Sequence, residues 1–214
     1  MEEVKAFLKS RTVCNLVIVL ANIAVFFVLE IMGNTEDVLF MAEHGASYAP
    51  WIVEEKEYYR LFTCMFMHFG IEHLFNNMLV LTFLGDALEH AVGSVRYLII
   101  YLGGGLLGNV LSCILEYRGG DWAVSAGASG AVFAAMGAIV YIAIINRGRI
   151  AEFTRRRLIL MAFLALFEGF TSVGVDNAAH VGGFLSGLLL AVILYRRPRR
   201  QEDREGGAAP WDSF

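Results

Sequence analysis

Residues 124–145 read VSAGASGAVFAAMGAIVYIAII and contain no charged residue. These 22 residues are enough to cross a hydrocarbon core about 30 Å thick, because an α-helix rises about 1.5 Å per residue. The run also carries a polar side chain, Ser129, near its start. A polar group at membrane depth costs free energy unless a protein partner or a water-filled cavity satisfies it. The stretch therefore predicts a membrane helix that holds a functional residue.

The composition points to the same setting. Of the 214 residues, 57% are hydrophobic and 18% are charged, and the mean hydropathy is +0.57. These values lie far on the membrane side of ordinary soluble proteins, so we expect one polytopic all-α membrane domain. Its expected surroundings are the lipid bilayer, with no nucleic-acid partner. The three cysteines fall in apolar runs and form no framework, which predicts no disulfide, no metal site and no cofactor.

Six apolar runs have the length of membrane spans. The first is too long for the h-region of a signal peptide and is followed by no small-x-small cleavage site, so we interpret it as a retained span. We expect a cytoplasmic N-terminus at 1–13, a six-helix membrane domain at 14–195 and a disordered cytoplasmic tail at 196–214. Without a transit peptide, the expected location is a prokaryotic plasma membrane. The six predicted spans are 14–33, 72–91, 97–115, 124–145, 158–175 and 178–195.

The basic residues predict an orientation for these spans. If the N-terminus is cytoplasmic, 14 of the 17 Lys and Arg residues fall on the inner side. Lys56, Arg60 and Arg118 remain outside, in agreement with the positive-inside rule. The second, fourth and sixth spans then start at the outer side. The long first outer connection, 34–70, mixes acidic with aromatic residues, so we expect it to lie partly in the membrane interface.

Ser129 and His180 have the residue types of a nucleophile and its base. A serine hydroxyl attacks a carbonyl only if a base takes its proton, and histidine is the usual base near neutral pH. Other interpretations remain open for each residue alone. A serine in a small-residue helix more often bonds a carbonyl one turn back, and an intramembrane histidine can be an interhelical hydrogen-bond partner.

The glycines around both residues favour the catalytic interpretation. Gly127 and Gly130 leave room for a substrate backbone and allow the serine to sit at a helix start, where backbone N–H groups are free. His180, Gly183 and Gly187 follow an i, i+3, i+7 pattern, so the imidazole shares a stripe with a small-residue surface. The fourth span offers matching alanines, which predicts close packing of the two helices. Simple packing of these two helices, without catalysis, would require the same small residues.

A tetrahedral oxyanion also needs hydrogen-bond donors. His73 and Asn77 are spaced i, i+4, so they share one face at the outer start of the second span. Together with the Ser129 backbone N–H they could surround one oxygen atom. Alternatively, they are two polar residues at the water boundary. Asn76 points about 100° away from Asn77 on a helix and is the weaker candidate.

Five short motifs occur in order along the predicted spans. They are Tyr59-Arg60-Leu61-Phe62-Thr63, Met67-His68-Phe69, His73-x-x-x-Asn77, Gly127-Ala128-Ser129-Gly130 and Val175-Asp176-Asn177-Ala178-Ala179-His180-Val181-Gly182-Gly183. This set resembles the rhomboid intramembrane serine proteases over about residues 40–195. Each motif is weak alone, whereas the ordered set is highly specific.

The resemblance implies a six-transmembrane-helix rhomboid-like bundle with a Ser–His dyad and no third carboxylate. In it Ser129 is the nucleophile, His180 is the general base and then the general acid, and His73 and Asn77 are the oxyanion-hole side chains. Glycines 183 and 187 would set the contact between the sixth and fourth spans.

The resemblance also carries expectations for four further positions. Arg60 and Glu89 match residues that brace the first outer loop. Phe133 stands where many members have tyrosine, so it can stack on the imidazole but cannot donate a hydrogen bond to it. Cys64 stands where some members have histidine, and no role is predicted for it.

The expected function is that of a rhomboid-type serine endopeptidase. It would hydrolyse peptide bonds in or next to transmembrane segments of membrane proteins through an acyl-enzyme, near the outer leaflet. The resemblance suggests a small residue before the scissile bond and a substrate helix that unwinds easily.

Two other functions are weighed against it. A catalytically inactive rhomboid-like protein would bind membrane clients without cutting them, but loss of Ser or His would mark it, and neither is lost. A transporter would carry polar residues through both leaflets, whereas here they cluster at the outer ends of the spans. Glu168, in the predicted fifth span, has no predicted partner.

Overall fold

A computed structural model describes most of the chain. The described residues are 12–120, 122–146, 149–150, 153–154 and 175–196. The predictions for residues 1–11, for the tail from 197 and for Glu168 lie outside the described residues, as does nearly all of the predicted fifth span at 158–175. They stay predictions, and with them the count of six helices.

The described part of the chain is mostly helical. The elements in chain order are α1 (Val13–Met32), α2 (Val38–Glu43), β1 (Ser47–Tyr48), α3 (Ala49–Val53), α4 (Arg60–Thr63), a 3₁₀ turn (Cys64–Phe66), α5 (Gly70–Val92), α6 (Ser94–Leu98), a π-helical segment (Ile99–Gly103), α7 (Gly104–Gly119), β2 (Val124–Ser125), α8 (Ser129–Ile145), β3 (Arg149–Ile150), β4 (Phe153–Thr154) and α9 (Asn177–Leu194).

Three of the described helices are long and apolar enough to cross a membrane. They are α1, the continuous helix Ser94–Gly119 and α9. α5 has 23 residues but a more polar sequence, and α8 is a shorter apolar helix of 17 residues. Four of the predicted spans agree with described helices to within about one turn: the first with α1, the second with α5, the third with Ser94–Gly119 and the sixth with α9.

The fourth span starts later than the hydropathy predicts, at Ser129 instead of residue 124. Val124 and Ser125 pair in antiparallel fashion with Tyr48 and Ser47, so this apolar stretch enters a two-stranded ribbon. Gly127 then adopts φ +145°, which is outside the helical region. Backbone pairing and a glycine turn therefore delay the helix until the serine.

α8 forms the centre of the described bundle. Thirteen of its 17 residues are buried, as expected for a helix that is apolar on every side. Gly187 of α9 lies against the backbone of Ala134, and Gly183 lies against that of Gly130. α7 completes the junction, because Gly108 faces the Ala179 carbonyl and the Gly183 backbone. The absence of side chains lets three helices meet backbone to backbone.

Glu89 lies at the opposite end of α5 from His73, which corrects the expectation that it braces the first outer loop. The two residues are 16 positions apart, or about 24 Å along a helix. Glu89 accepts hydrogen bonds from the backbone N–H groups of Cys14 (3.2 Å) and Asn15 (2.7 Å) and from the Ser94 hydroxyl (2.6 Å). It therefore satisfies free N–H groups in the first turn of α1 and ties that turn to the start of α6.

Candidate active site

Ser129 is the first residue of α8. The first helical hydrogen bond runs from Val132 N–H to the Ala128 carbonyl at 2.9 Å. Because the first N–H groups of a helix have no partner within it, the N–H groups of Ser129 and of the next residues in the first turn can donate to another acceptor. The late start of α8 thus places the hydroxyl next to free backbone donors.

His180 reaches Ser129 from α9. Its Nε2 atom lies 2.8 Å from the serine Oγ, across 51 residues of sequence. The Phe133 ring stacks on the imidazole at 4.3 Å between centroids and 27° between planes. His180 is only 8% exposed, and its Nδ1 atom has no hydrogen-bond partner among the described residues. The serine and the imidazole that the sequence singled out are therefore in hydrogen-bonding contact.

Asp176 fixes the start of the helix that carries the imidazole. As the N-cap of α9, its carboxylate accepts a hydrogen bond from Ala179 N–H at 2.8 Å. The Ser112 hydroxyl of α7 donates to both carboxylate oxygens, at 2.7 and 2.8 Å. Sequence reasoning assigned neither residue a role. The helix-capping preference of aspartate was the available signal for Asp176, whereas nothing local marks Ser112.

His73 and Asn77 lie on the other side of the serine, in α5. The Asn77 side chain donates one N–H to the His73 carbonyl at 3.0 Å. The amide has a second N–H, which can donate to a substrate oxygen. Space next to Gly127 is filled by the His73 ring, since a Cβ there would lie 2.8 Å from the His73 Cε1 atom. Asn77 is buried and Asn76 is exposed. His73 thus sits beside the backbone that leads into Ser129, and Asn77 lies one turn further along the same helix.

These side chains line one cavity of about 570 Å³. This volume lies in the usual range for pockets that hold small ligands or peptide segments. A somewhat larger cavity of about 690 Å³ lies between α1 and α5, but Ser129, His180, His73 and Asn77 do not line it. The polar residues and Phe133 that line the smaller cavity are His73, Asn76, Asn77, Ser125, Ser129, Phe133, Asp176 and His180.

Arg60 organises the segment between α1 and α5. Its guanidinium donates to the carbonyls of Ala42 and Ala46, pairs with Glu57 and lies over the Trp51 ring at 4.6 Å. The side chain is 3% exposed, so these contacts replace the water that it loses. Arg60 braces this connection, as the resemblance implies, and thereby holds the residues that lead into β1.

The same connection holds the chain in front of Ser129. The Cys64 carbonyl accepts the Gly127 N–H at 2.9 Å, and His68 Nε2 accepts the Ala128 N–H at 3.3 Å. Burial, with a smaller effect of neighbouring His73, lowers the pKa of His68 to about 3, so the ring is neutral at physiological pH. Sequence reasoning quoted His68 in a motif without giving it a role.

Cys64 acts through its backbone and as a buried packing residue. Its Sγ atom lies 3.1 Å from the Asn109 side-chain nitrogen, which also donates to the Leu61 carbonyl. Burial raises the pKa of the Cys64 thiol, so it stays protonated. Within the described residues, no group of three or more His, Cys, Asp and Glu side chains is arranged to hold a metal ion.

Comparison with known proteins gives consistent matches. The family model of the Rhomboid domain matches residues 55–197. The chain is 32% identical to Rhomboid protease GluP of Bacillus subtilis (strain 168) over 192 residues, which cover 90% of this chain and 37% of that protein. It is 35% identical to RHOMBOID-like protein 1 of Arabidopsis thaliana over 181 residues, covering 80% and 45%.

In a third match, the aligned residues cover similar shares of both proteins. Putative rhomboid protease YdcA of Bacillus subtilis (strain 168) is 28% identical over 149 residues, which cover 70% of this chain and 73% of that protein. By contrast, the chain spans less than half the length of the two relatives with 32% and 35% identity.

Proposed function

The chain belongs to the rhomboid family, and on that basis we propose that it is an intramembrane serine protease in which Ser129 and His180 form the catalytic dyad. The observation that carries the proposal is the 2.8 Å contact between Ser129 Oγ and His180 Nε2 inside a cavity of peptide-binding size. Proteins named as proteases among the relatives support a membrane-embedded hydrolase.

In the first step, Ser129 Oγ attacks the carbonyl carbon of the scissile bond while its proton moves to His180 Nε2. The contact requires that Nε2 accept, so the resting imidazole carries its proton on Nδ1. Phe133 restricts rotation of the imidazole by stacking on one of its faces. The carbonyl π electrons move onto oxygen, which gives a tetrahedral intermediate with one negative charge.

In the second step, the intermediate collapses and the carbon–nitrogen bond breaks. His180 gives its Nε2 proton to the leaving amine, and the acyl group remains on Ser129 as an ester. A water molecule then attacks the ester carbonyl while His180 takes one of its protons. Collapse of this second intermediate returns the proton to Ser129 Oγ and releases the carboxylic acid.

We propose that three donors form the oxyanion hole: the Ser129 backbone N–H and the side chains of His73 and Asn77. The first is free because it lies in the opening turn of α8. The other two line the same cavity as the serine. Donors fixed in this way stabilise the negative charge that develops in the transition state more than they stabilise the substrate.

The substrates are proposed to be membrane proteins cut in or next to a transmembrane segment. A helical peptide bond is shielded by its own hydrogen bonds, so the segment must unwind before attack. The proposed setting is the plasma membrane, with six spans. The distribution of Lys and Arg supports cytoplasmic termini and a cavity at the outer side.

The alternative is an inactive rhomboid-like protein that binds membrane clients. It would need neither a serine nor an imidazole in mutual contact, and both are present. The deciding experiment incubates purified protein in detergent with a single-span test substrate and compares wild type with Ser129→Ala and His180→Ala. Cleavage by wild type that both substitutions abolish supports the protease. Binding of the substrate without cleavage by wild type favours the client-binding protein.

A further inference from the structure

His68 is fully buried, although it lies in the irregular segment between the 3₁₀ turn and α5. Its ring contacts the residue before Ser129 and one of the three proposed oxyanion donors, His73. Nε2 lies 3.3 Å from the backbone nitrogen of Ala128, the residue before the nucleophile. The ring also meets that of His73 edge to face, at 5.2 Å between centroids and 71° between planes.

The contact with Ala128 fixes the protonation of the His68 ring. Because Nε2 accepts the backbone N–H, it carries no proton, and the proton of the neutral ring is on Nδ1. The ring also interacts with the backbone of Phe66, two residues earlier. The contact that links His68 to the chain before Ser129 is therefore the one that Nε2 accepts.

The two backbone N–H groups directly before Ser129 both have acceptors. The Gly127 N–H is taken by the Cys64 carbonyl at 2.9 Å, and the Ala128 N–H is taken by His68. The next N–H along the chain belongs to Ser129, in the first turn of α8. With the two preceding peptides fixed, the direction of the Ser129 N–H is fixed as well.

We infer that His68 is a positioning residue for the oxyanion hole: it holds the Ala128 peptide and the His73 ring so that the Ser129 N–H and the His73 side chain converge on one oxygen. The inference rests on the proposed protease function. It requires a hydrogen-bond acceptor at the Nε2 position, not an imidazole as such.

Substitutions of His68 by Gln and Asn test where the hydrogen-bond acceptor must lie, and substitution by Ala tests whether an acceptor is needed. In His68→Gln the side-chain oxygen can reach the place of Nε2, whereas in His68→Asn it reaches only that of Nδ1 and leaves the Ala128 N–H unpaired. His68→Ala removes the acceptor altogether. His44→Asn is the matched control, because His44 lies in the same connection and is exposed, and its side chain bonds only the Phe40 carbonyl among the described hydrogen-bond partners.

The experiment measures kcat and KM of each variant on the single-span substrate in detergent, together with its thermal unfolding midpoint. We expect His68→Gln and His44→Asn to keep kcat within about threefold of wild type. We expect His68→Asn and His68→Ala to lower kcat by about 100-fold at nearly constant KM, because a misplaced group near the reacting atoms costs about that much.

Several results would overturn the inference. One is a His68→Asn protein that folds and keeps the kcat of wild type. Another is a His68→Gln protein that folds like wild type but loses kcat as fully as His68→Ala. If the His68→Asn and His68→Ala proteins do not fold, the kcat of His68→Gln alone decides whether the inference holds. If wild type itself does not cleave and Ser129→Ala changes nothing, the protease proposal fails, and the inference falls with it.

Discussion

The substitution Gly187→Ala is expected to separate the two catalytic helices. Gly187 lies two turns after His180 on α9, and a Cβ built there overlaps the carbonyl group of Ala134 and approaches its Cα at 2.5 Å. All of these atoms belong to the α8 backbone, so no side chain can rotate away. The added methyl group must push α9 from α8, and with it the imidazole from the serine.

The size of the effect follows from two opposing contributions. Overpacking of a tight contact costs about 1–3 kcal/mol, and the better helix propensity of alanine returns up to about 1 kcal/mol. We therefore expect a net loss of roughly 0–2 kcal/mol in the free energy of unfolding. The cleavage rate should change more than the stability does, because a displacement of about 1 Å between reacting groups can lower the rate about 100-fold.

Gly119→Ala provides the matched control. Gly119 is also helical, at the end of α7, but a Cβ there meets nothing within 4 Å. It should gain the propensity contribution without the clash and cleave like wild type. The assay is cleavage of the single-span substrate together with thermal unfolding in detergent. The reasoning is refuted if Gly187→Ala is as active and as stable as Gly119→Ala.

Three further predictions concern single side chains. Asn77→Ala should raise the barrier of the cleavage reaction by about 2.7–4 kcal/mol through loss of one oxyanion donor, with less effect than Ser129→Ala; an unchanged kcat/KM would shift the role to Asn76 or to the backbone alone. Phe133→Ala should lower kcat by about two- to tenfold through loss of a stacking contact worth about 0.5–1.5 kcal/mol, whereas Phe133→Tyr, which keeps the ring, should stay near wild type; equal rates for both would contradict a role for stacking. For His68, the folded-state pKa of about 3 lies below the ordinary 6.5, so protonation favours the unfolded state and stability is lost as the pH falls below 6.5. At pH 5 this loss amounts to about 2 kcal/mol, and the unfolding midpoint of wild type should therefore drop more between pH 7 and pH 5 than that of His68→Gln; equal drops would show that the ring titrates normally.

Residues whose chemistry depends on local spacing could be identified from the sequence. Gly127 and Gly130 lack side chains and so allow a helix start at Ser129, and the stripe of His180, Gly183 and Gly187 indicates a helix that comes close. The first inference rests on residue type and the second on the period of the helix, and both are local properties. The structure agrees with these indications for the residues it describes, since Ser129 opens α8 and the imidazole reaches its hydroxyl.

Features that depend on distant backbone contacts were not predictable in this way. The apolar residues 124–128 look like the start of a span, yet pairing with Ser47 and Tyr48 draws Val124 and Ser125 into a ribbon. The hydrogen bond from Ala128 to His68 joins positions 60 residues apart, and no local pattern announces it.

Glu89 lies too far along α5 to take the role that the resemblance implies. The resemblance implies a brace for the first outer loop, but helical rise alone puts Glu89 about 24 Å from the His73 end of α5. The carboxylate instead caps the first turn of α1. The length of the predicted span alone therefore argues against a brace at this position.

Covalent labelling of Ser129 tests the central claim most directly. The protein is treated in detergent with a serine-directed fluorophosphonate, and the modified residue is located by mass spectrometry of its peptides. The account predicts one adduct, on Ser129, formed in wild type and strongly slowed in His180→Ala, because the imidazole must take the hydroxyl proton. An adduct on another serine, or equal labelling of Ser129 in wild type and His180→Ala, would contradict it.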